Sequence, residues 1–124
     1  MPTPVATSHA PQAIGPYSQA VSSGGLLFVS GQLPVDPQTG TMPADIAAQV
    51  KNSLSNVSAI LRKAGSDLSK VLKVGVFLTD LGDFAAANAI YETFFKEPFP
   101  ARTTVQVAAL PKGAKVEIDA IAEL

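Results

Sequence analysis

Cysteine and tryptophan are absent from the 124 residues, and histidine occurs once, as His9. Without cysteine there is no disulfide framework, no thiolate nucleophile and no Cys-ligated zinc. One histidine leaves only scattered carboxylates as metal ligands, so no metal is expected. Charge is scarce too: Asp, Glu, Lys and Arg make up 15% of the chain, against roughly a quarter in an ordinary soluble domain. Neither sign dominates. Nine basic and ten acidic residues give a net charge of −1, and no basic cluster is longer than Arg62-Lys63. That is a poor electrostatic footprint for nucleic acid, so no nucleic-acid partner is expected. A local cationic patch could draw only on Lys70, Lys73, Lys112 and Lys115. No apolar run approaches the ~18 residues of a membrane span. The start, Met1 to Thr7, has neither the basic nor the apolar segment of a signal peptide, so a cytoplasmic protein is expected.

Hydrophobic residues make up 47% of the chain, which together with the low net charge excludes intrinsic disorder. The length suits one domain, residues 1–124, with a core that needs no staples. So few charges on a small domain also suggest that part of its surface is covered in an oligomer.

The stretch from Pro2 to Pro16 reads as extended chain leading into the domain. Gln19 to Val21 and Leu26 to Ser30 read as short strands flanking Ser22-Ser23-Gly24-Gly25, a hairpin connection. Pro34 to Gly40 is dense in turn residues and reads as a surface loop. Ile46, Val50, Leu54, Val57, Leu61 and Ala64 recur at helical spacing. Pro43 and Asp45 suit the first turn of that helix, Arg62 and Lys63 its last, and Gly65 its left-handed cap. Val71 to Thr79 is apolar on both faces, as in a covered central strand. A second helix is expected from about Asp83 to Phe95, with Phe84, Asn88, Tyr91 and Phe95 on one face, stopped by Glu97 to Pro100. Strands at Thr103 to Leu110 and Lys115 to Ala122 follow, joined at Pro111-Lys112-Gly113. The order ββαβαββ predicts an α+β domain, a mixed sheet with two helices on one face.

A few polar residues do not fit that scheme. Arg102 falls in a short loop before a strand, where a solvated surface charge is the ordinary explanation. Glu117 and Asp119 share one side of the last strand, as the solvent face of an edge strand would. Asn88 interrupts an apolar helical face, as a buried amide satisfied by backbone groups would. Tyr17 closes Ile14-Gly15-Pro16-Tyr17, and Ser30-Gly31 ends a hydrophobic strand. Ser30 lacks a nucleophile-elbow pattern, and His9 lies far off in the extended arm. Gly24-Gly25 is a turn, not a phosphate cradle.

Together these residues resemble the RidA/YjgF family of reactive-intermediate deaminases, from Ala10 to Ala122. The resemblance rests on Ile14-Gly15-Pro16-Tyr17, Ser30-Gly31-Gln32-Leu33-Pro34, Pro43-Ala44-Asp45 and Asn88. It continues through Pro100 to Val105, Leu110-Pro111-Lys112 and Val116 to Ala122. It implies a chorismate-mutase-like fold and a homotrimer with sites between subunits. It also implies hydrolysis of small 2-imino and 2-enamino acids, such as 2-aminoacrylate and 2-iminobutanoate, to 2-oxo acids and ammonia, with no cofactor.

On that resemblance Arg102 clamps the substrate carboxylate and Glu117 orients water or moves a proton. Tyr17, Ser30, Gly31, Asn88 and Thr104 line the pocket. Two departures stand out. Thr104 occupies a position where many relatives have cysteine, which leaves a hydroxyl and no thiol chemistry. The Glu97 to Pro100 connection is shorter than in some relatives. An RNA-acting translation inhibitor or endoribonuclease and a non-catalytic holdase are the alternative readings.

Overall fold

The computed structural model describes residues 2–124 and contains one six-stranded sheet with two helices on one face. Its strands are β1 (Thr3–Val5), β2 (Ala20–Ser23), β3 (Leu26–Gln32), β4 (Val71–Leu78), β5 (Ala101–Gln106) and β6 (Val116–Glu123). The helices are α1 (Ile46–Lys63), between β3 and β4, and α2 (Phe84–Tyr91), between β4 and β5. In space the strands run β1-β2-β3-β6-β4-β5, antiparallel except for the β4–β5 pair. No helix among the described residues is long and apolar enough to cross a membrane.

Helix α1 follows its sequence signals closely. Asp45 Oδ2 accepts a hydrogen bond from the Ala48 N–H at 3.0 Å, capping the first turn. At the other end Gly65, with φ +86°, allows the Ser66 N–H to reach Leu61 O and its own N–H to reach Arg62 O. That is a Schellman closure, and it needs a residue that tolerates positive φ. Val50, Leu54, Val57, Ile60 and Leu61 are buried against Leu27, Val29, Val74, Val76 and Ile118 of the sheet. The polar residues of α1 that are buried are not idle. Asn56 Nδ2 donates to Leu33 O and Val35 O, and Gln49 donates to Pro43 O while accepting from the Lys115 N–H. These bonds tie the 33–43 loop and the approach to β6 onto the helix.

The α+β class and the one-sided helices agree with the expectation, but the order gains a strand. β1 pairs with β2 through the register Pro4↔Val21, although its residues look in sequence like mere extended chain. Three residues flanked by prolines carry no alternation signal, and only a paired neighbour makes them a strand. The β2–β3 turn is confined to Gly24 and Gly25, both at positive φ, the geometry of a two-residue hairpin.

Other boundaries shift for local reasons. Helix α2 ends at Tyr91 rather than Phe95, because the Thr93 N–H and its hydroxyl both turn back to Ile90 O. Phe95 is buried all the same. Strand β5 begins at Ala101, so Arg102 lies in a strand, not in a loop. It ends at Gln106 instead of Leu110, since its partner β4 stops at Leu78. β5 and β6 are not neighbours; β4 lies between them. β6 is central, between β3 and β4, so Glu117 and Asp119 do not belong to an edge strand.

The segment from Thr7 to Pro11 is held by one buried side chain. Gln19 Oε1 accepts from the Thr7 N–H at 2.7 Å, while Nε2 donates to Thr7 O at 3.1 Å and to Pro11 O at 2.8 Å. Gln19→Ala is therefore expected to cost about 2 kcal/mol or more, and Asp45→Ala about 1 kcal/mol. Urea unfolding of both variants checks this; equal losses would remove the special role of Gln19.

Candidate active site

The seven residues singled out in the sequence fall into two clusters. Tyr17, Ser30, Gly31 and Glu117 line one cleft, with Ile14 and Lys112 at its walls. Asn88, Arg102 and Thr104 line another, beneath Phe84 and Tyr91 of α2.

The first cluster is built on a bulge. Val29 pairs with Ala120 and Gln32 with Ile118, so Ser30 and Gly31 stand opposite the single residue Asp119. The extra residue re-aims the strand end toward the cleft. The Ser30 hydroxyl donates to Ser18 O at 2.6 Å, and its N–H to Gln19 O at 2.9 Å. Its proton is thus engaged, and it offers a ligand only lone pairs. Glu117 lies directly over Gly31: a Cβ on Gly31 would sit 2.8 Å from both Cδ and Oε1 of Glu117. A glycine is required there for the carboxylate to lie as it does. Burial raises the Glu117 carboxyl above its ordinary value, and the neighbouring Asp119 charge adds to the shift. Tyr17, about half exposed at 54%, closes the cleft on the outside.

The second cluster is built by α2 over the edge strand. Phe84, Asn88 and Tyr91 follow one another at helical spacing on one face. Arg102 Nη1 donates to Asn88 Oδ1 at 2.7 Å. The guanidinium carbon stands 4.6 Å from the Tyr91 ring centre and 5.5 Å from that of Phe84. Its partner is a neutral amide, so the bond leaves the positive charge of Arg102 uncompensated. Thr104, two residues on and on the same side of β5, buries its Oγ1 without a hydrogen bond inside the chain. Asn88 is thus a side-chain acceptor for Arg102 rather than an amide satisfied by backbone.

The two clusters do not meet within one chain. Arg102 and Thr104 pair in register with the buried Val74 and Val76, on the helix side of the sheet. Glu117 pairs with Phe77, and Asp119 with Gly75, on the side away from the helices. β4 separates the two strands, and Arg102 is level with Val74 while Glu117 is level with Phe77, so the two differ in face and their backbones stand two strand spacings and three residues, roughly 14 Å, apart. The helix-free face also carries apolar surface, including Phe28 at 42% and Val105 at 38% exposure. β4 is therefore covered by this chain on one face only.

The four lysines make no common patch. Lys73 lies near the start of β4, opposite Ile121, whereas Lys115 O accepts from the Thr79 N–H beyond its far end. Six residues of extended chain separate them by roughly 20 Å. Sequence reasoning did not assign Phe84 or Tyr91 to the site; their signal was the stripe they share with Asn88. Among the described residues no group of three or more His, Cys, Asp or Glu is placed to hold a metal.

Comparison with known proteins gives a consistent result. The model of the Endoribonuclease L-PSP family matches residues 7–124. A RutC family protein of Sinorhizobium fredii is 57% identical over 98% of this chain and 97% of its own length. The 2-iminobutanoate/2-iminopropanoate deaminase of Escherichia coli is 54% identical over 95% of this chain and 94% of its own. The crystal structure of Escherichia coli TdcF with bound serine superposes with a TM-score of 0.94, at 50% identity over 98% of both chains.

Because the folded protein holds Glu117 above its ordinary carboxyl value, ionising it opposes folding. The stability it contributes is complete below about pH 4.5 and is lost as pH rises through the raised value. Glu117→Gln is expected to raise the melting temperature near neutral pH, with the gain vanishing below pH 4.5. Melting curves across that range test it; a gain that is the same at all pH values would contradict the buried, charge-crowded setting.

Proposed function

The chain belongs to the Endoribonuclease L-PSP family, the RidA/YjgF family its motifs resemble, and on that footing we propose that it hydrolyses small 2-imino and 2-enamino acids to 2-oxo acids and ammonia. The observation that carries the reading is Arg102. Its guanidinium is held by an amide and two rings while its charge is left free for an anion. A planar fork suits a carboxylate through two parallel hydrogen bonds. The relative crystallised with serine, and the relative named for imino-acid hydrolysis, point to ligands of that class.

In this reading water adds to the C=N carbon, and the nitrogen of the resulting carbinolamine takes a proton and leaves as ammonia. The C–O bond forms as the C=N π bond breaks; the C–N bond then breaks as the hydroxyl gives up its proton and C–O becomes C=O. Glu117, with a carboxyl that burial holds above its ordinary value, is suited to take a proton from the water and return it to the departing nitrogen. Tyr17, Ser30 and Gly31 shape the wall beside it, and Thr104 lines the pocket beside Arg102. No residue here is asked to form a covalent bond to substrate. An imine is already an electrophile, so the reaction as proposed calls for no cofactor.

Arg102 and Glu117 stand on opposite faces in one chain, so a single substrate can meet both only across two copies. We assign the helix-free face to that contact, in a homotrimer whose neighbouring subunits complete each site. Covering Phe28 and Val105 there accounts for apolar surface that a holdase would instead keep available. The endoribonuclease reading, though it supplies the family's name, finds little support among the described residues, where Lys73 and Lys115 lie at opposite ends of β4.

A coupled assay, in which a dehydratase generates the imine from serine or threonine, tests the activity. Arg102→Ala is expected to lower kcat/KM by roughly a hundredfold or more, and Arg102→Lys to recover little of it. Glu117→Gln is expected to depress kcat while leaving binding of a 2-oxo acid nearly intact. Parental rates from Arg102→Ala would refute the site. Dissociating and reassembling an equal mixture of the two inactive variants is expected to restore roughly a quarter of the sites, those that join two intact halves. No recovery from mixed assemblies, or full activity from a monomer in light scattering, would refute the composite site.

A further inference from the structure

We propose that the rings of Tyr91 and Phe84 set the orientation of the Arg102 guanidinium, making Tyr91 a positioning residue for substrate binding; this rests on the reading of Arg102 as the carboxylate clamp. Arg102 sits on the edge strand β5 and is itself exposed. An arginine so placed ordinarily samples many rotamers and loses that freedom only on binding. Here two kinds of contact remove it beforehand. The ring faces at 4.6 Å and 5.5 Å lie inside the ~6 Å range of a cation–π contact, and they fix the plane of the guanidinium. The 2.7 Å bond to Asn88 fixes its rotation within that plane. Held over the rings in this way, the group keeps N–H donors for a carboxylate arriving at its edge. Phe84, Asn88 and Tyr91 can act together because they follow one another on a single face of α2.

Tyr91 acts through its ring and not through its hydroxyl. The hydroxyl is buried and makes no hydrogen bond among the described residues. Burial holds the phenol above its ordinary 10.0, a shift the Arg102 charge only partly opposes. It is therefore a neutral group and not a counter-ion to Arg102. The ring is in turn braced by Phe95, 4.7 Å away between centroids. Preordering of this kind strengthens binding by removing the entropy that the ligand would otherwise have to overcome.

The test uses the intact protein and two readouts. By NMR, the Arg102 side-chain protons are expected to be shifted upfield by the Tyr91 ring, in Tyr91→Phe as in the parent but not in Tyr91→Leu. In the imine assay Tyr91→Phe is expected to match the parent, and Tyr91→Leu to lower kcat/KM roughly tenfold, mainly through KM. Phe84→Leu, a change to a ring that is already 40% exposed, is expected to give a smaller loss of the same kind without threatening the fold. In an Arg102→Ala background neither leucine variant should cost anything further. A full additional loss there, or a Tyr91→Phe as impaired as Tyr91→Leu, would overturn the positioning role. Unshifted Arg102 resonances in a parent whose activity still requires Arg102 would overturn the positioning by the rings and leave the carboxylate reading standing. Parental activity in Arg102→Ala would remove the carboxylate reading itself, and with it the role of the rings in substrate binding.

Discussion

A pleated strand sends successive side chains to opposite faces, and in this sheet the two faces have separate duties. On one, Leu27, Val29, Val74, Val76, Ile118 and Ala120 are buried beneath α1 and α2. On the other lie Phe28, Phe77, Glu117, Asp119 and Ile121. Shifting any central strand by one residue would exchange its two sets and expose the core. Hydrophobic burial therefore fixes the register, and the register decides where the charges go. Arg102 follows Val74 and Val76 to the helix side, and Glu117 follows Phe77 to the other. The separation of cation from carboxylate is a consequence of packing the core.

Close approach on the helix-free face depends on two glycines. Gly31 lies beneath Glu117 and Gly75 beneath Asp119, and a Cβ at either position would overlap a carboxylate. The strands on either side of β6 thus each supply a gap in the side-chain layer. Those gaps let two carboxylates two residues apart lie close to the sheet, half withdrawn from water. The raised Glu117 carboxyl follows from that placement, through burial first and the Asp119 charge second.

The Arg102 cluster solves a different problem, which is order at an edge. Strand β5 has a partner on one side only, and most of its residues are exposed. Precision comes from α2, and the turn that leads into it is fastened to the same strand by the Leu81 N–H bonded to Gln106 Oε1 at 2.9 Å. The helix is short, but three of its side chains reach one guanidinium. Thr104 and Tyr91 bring buried hydroxyls to the same small pocket without a partner among the described residues, an unusual polarity beside a guanidinium.

How much of this was legible in the sequence follows the range of each interaction. Helix α1 was readable in outline because its period and its Gly65 closure are local, although Asp45 caps the helix and Pro43 precedes it, where the sequence suggests its first turn for both. The strands β3, β4 and β6 were readable from short apolar runs, and the shared side of Glu117 and Asp119 from strand alternation alone. The end of α2 was not, because the outcome depends on which groups the Ile90 carbonyl binds. Strand β1 exists only because β2 lies beside it, and β6 is central rather than an edge because β3 and β4 close on it from either side. The pairing of Asn88 with Arg102, the stacking of Tyr91 on it and the distance from Arg102 to Glu117 belong to the tertiary structure. They join residues from different elements, and the sequence determines such contacts only through the packing that brings those elements together.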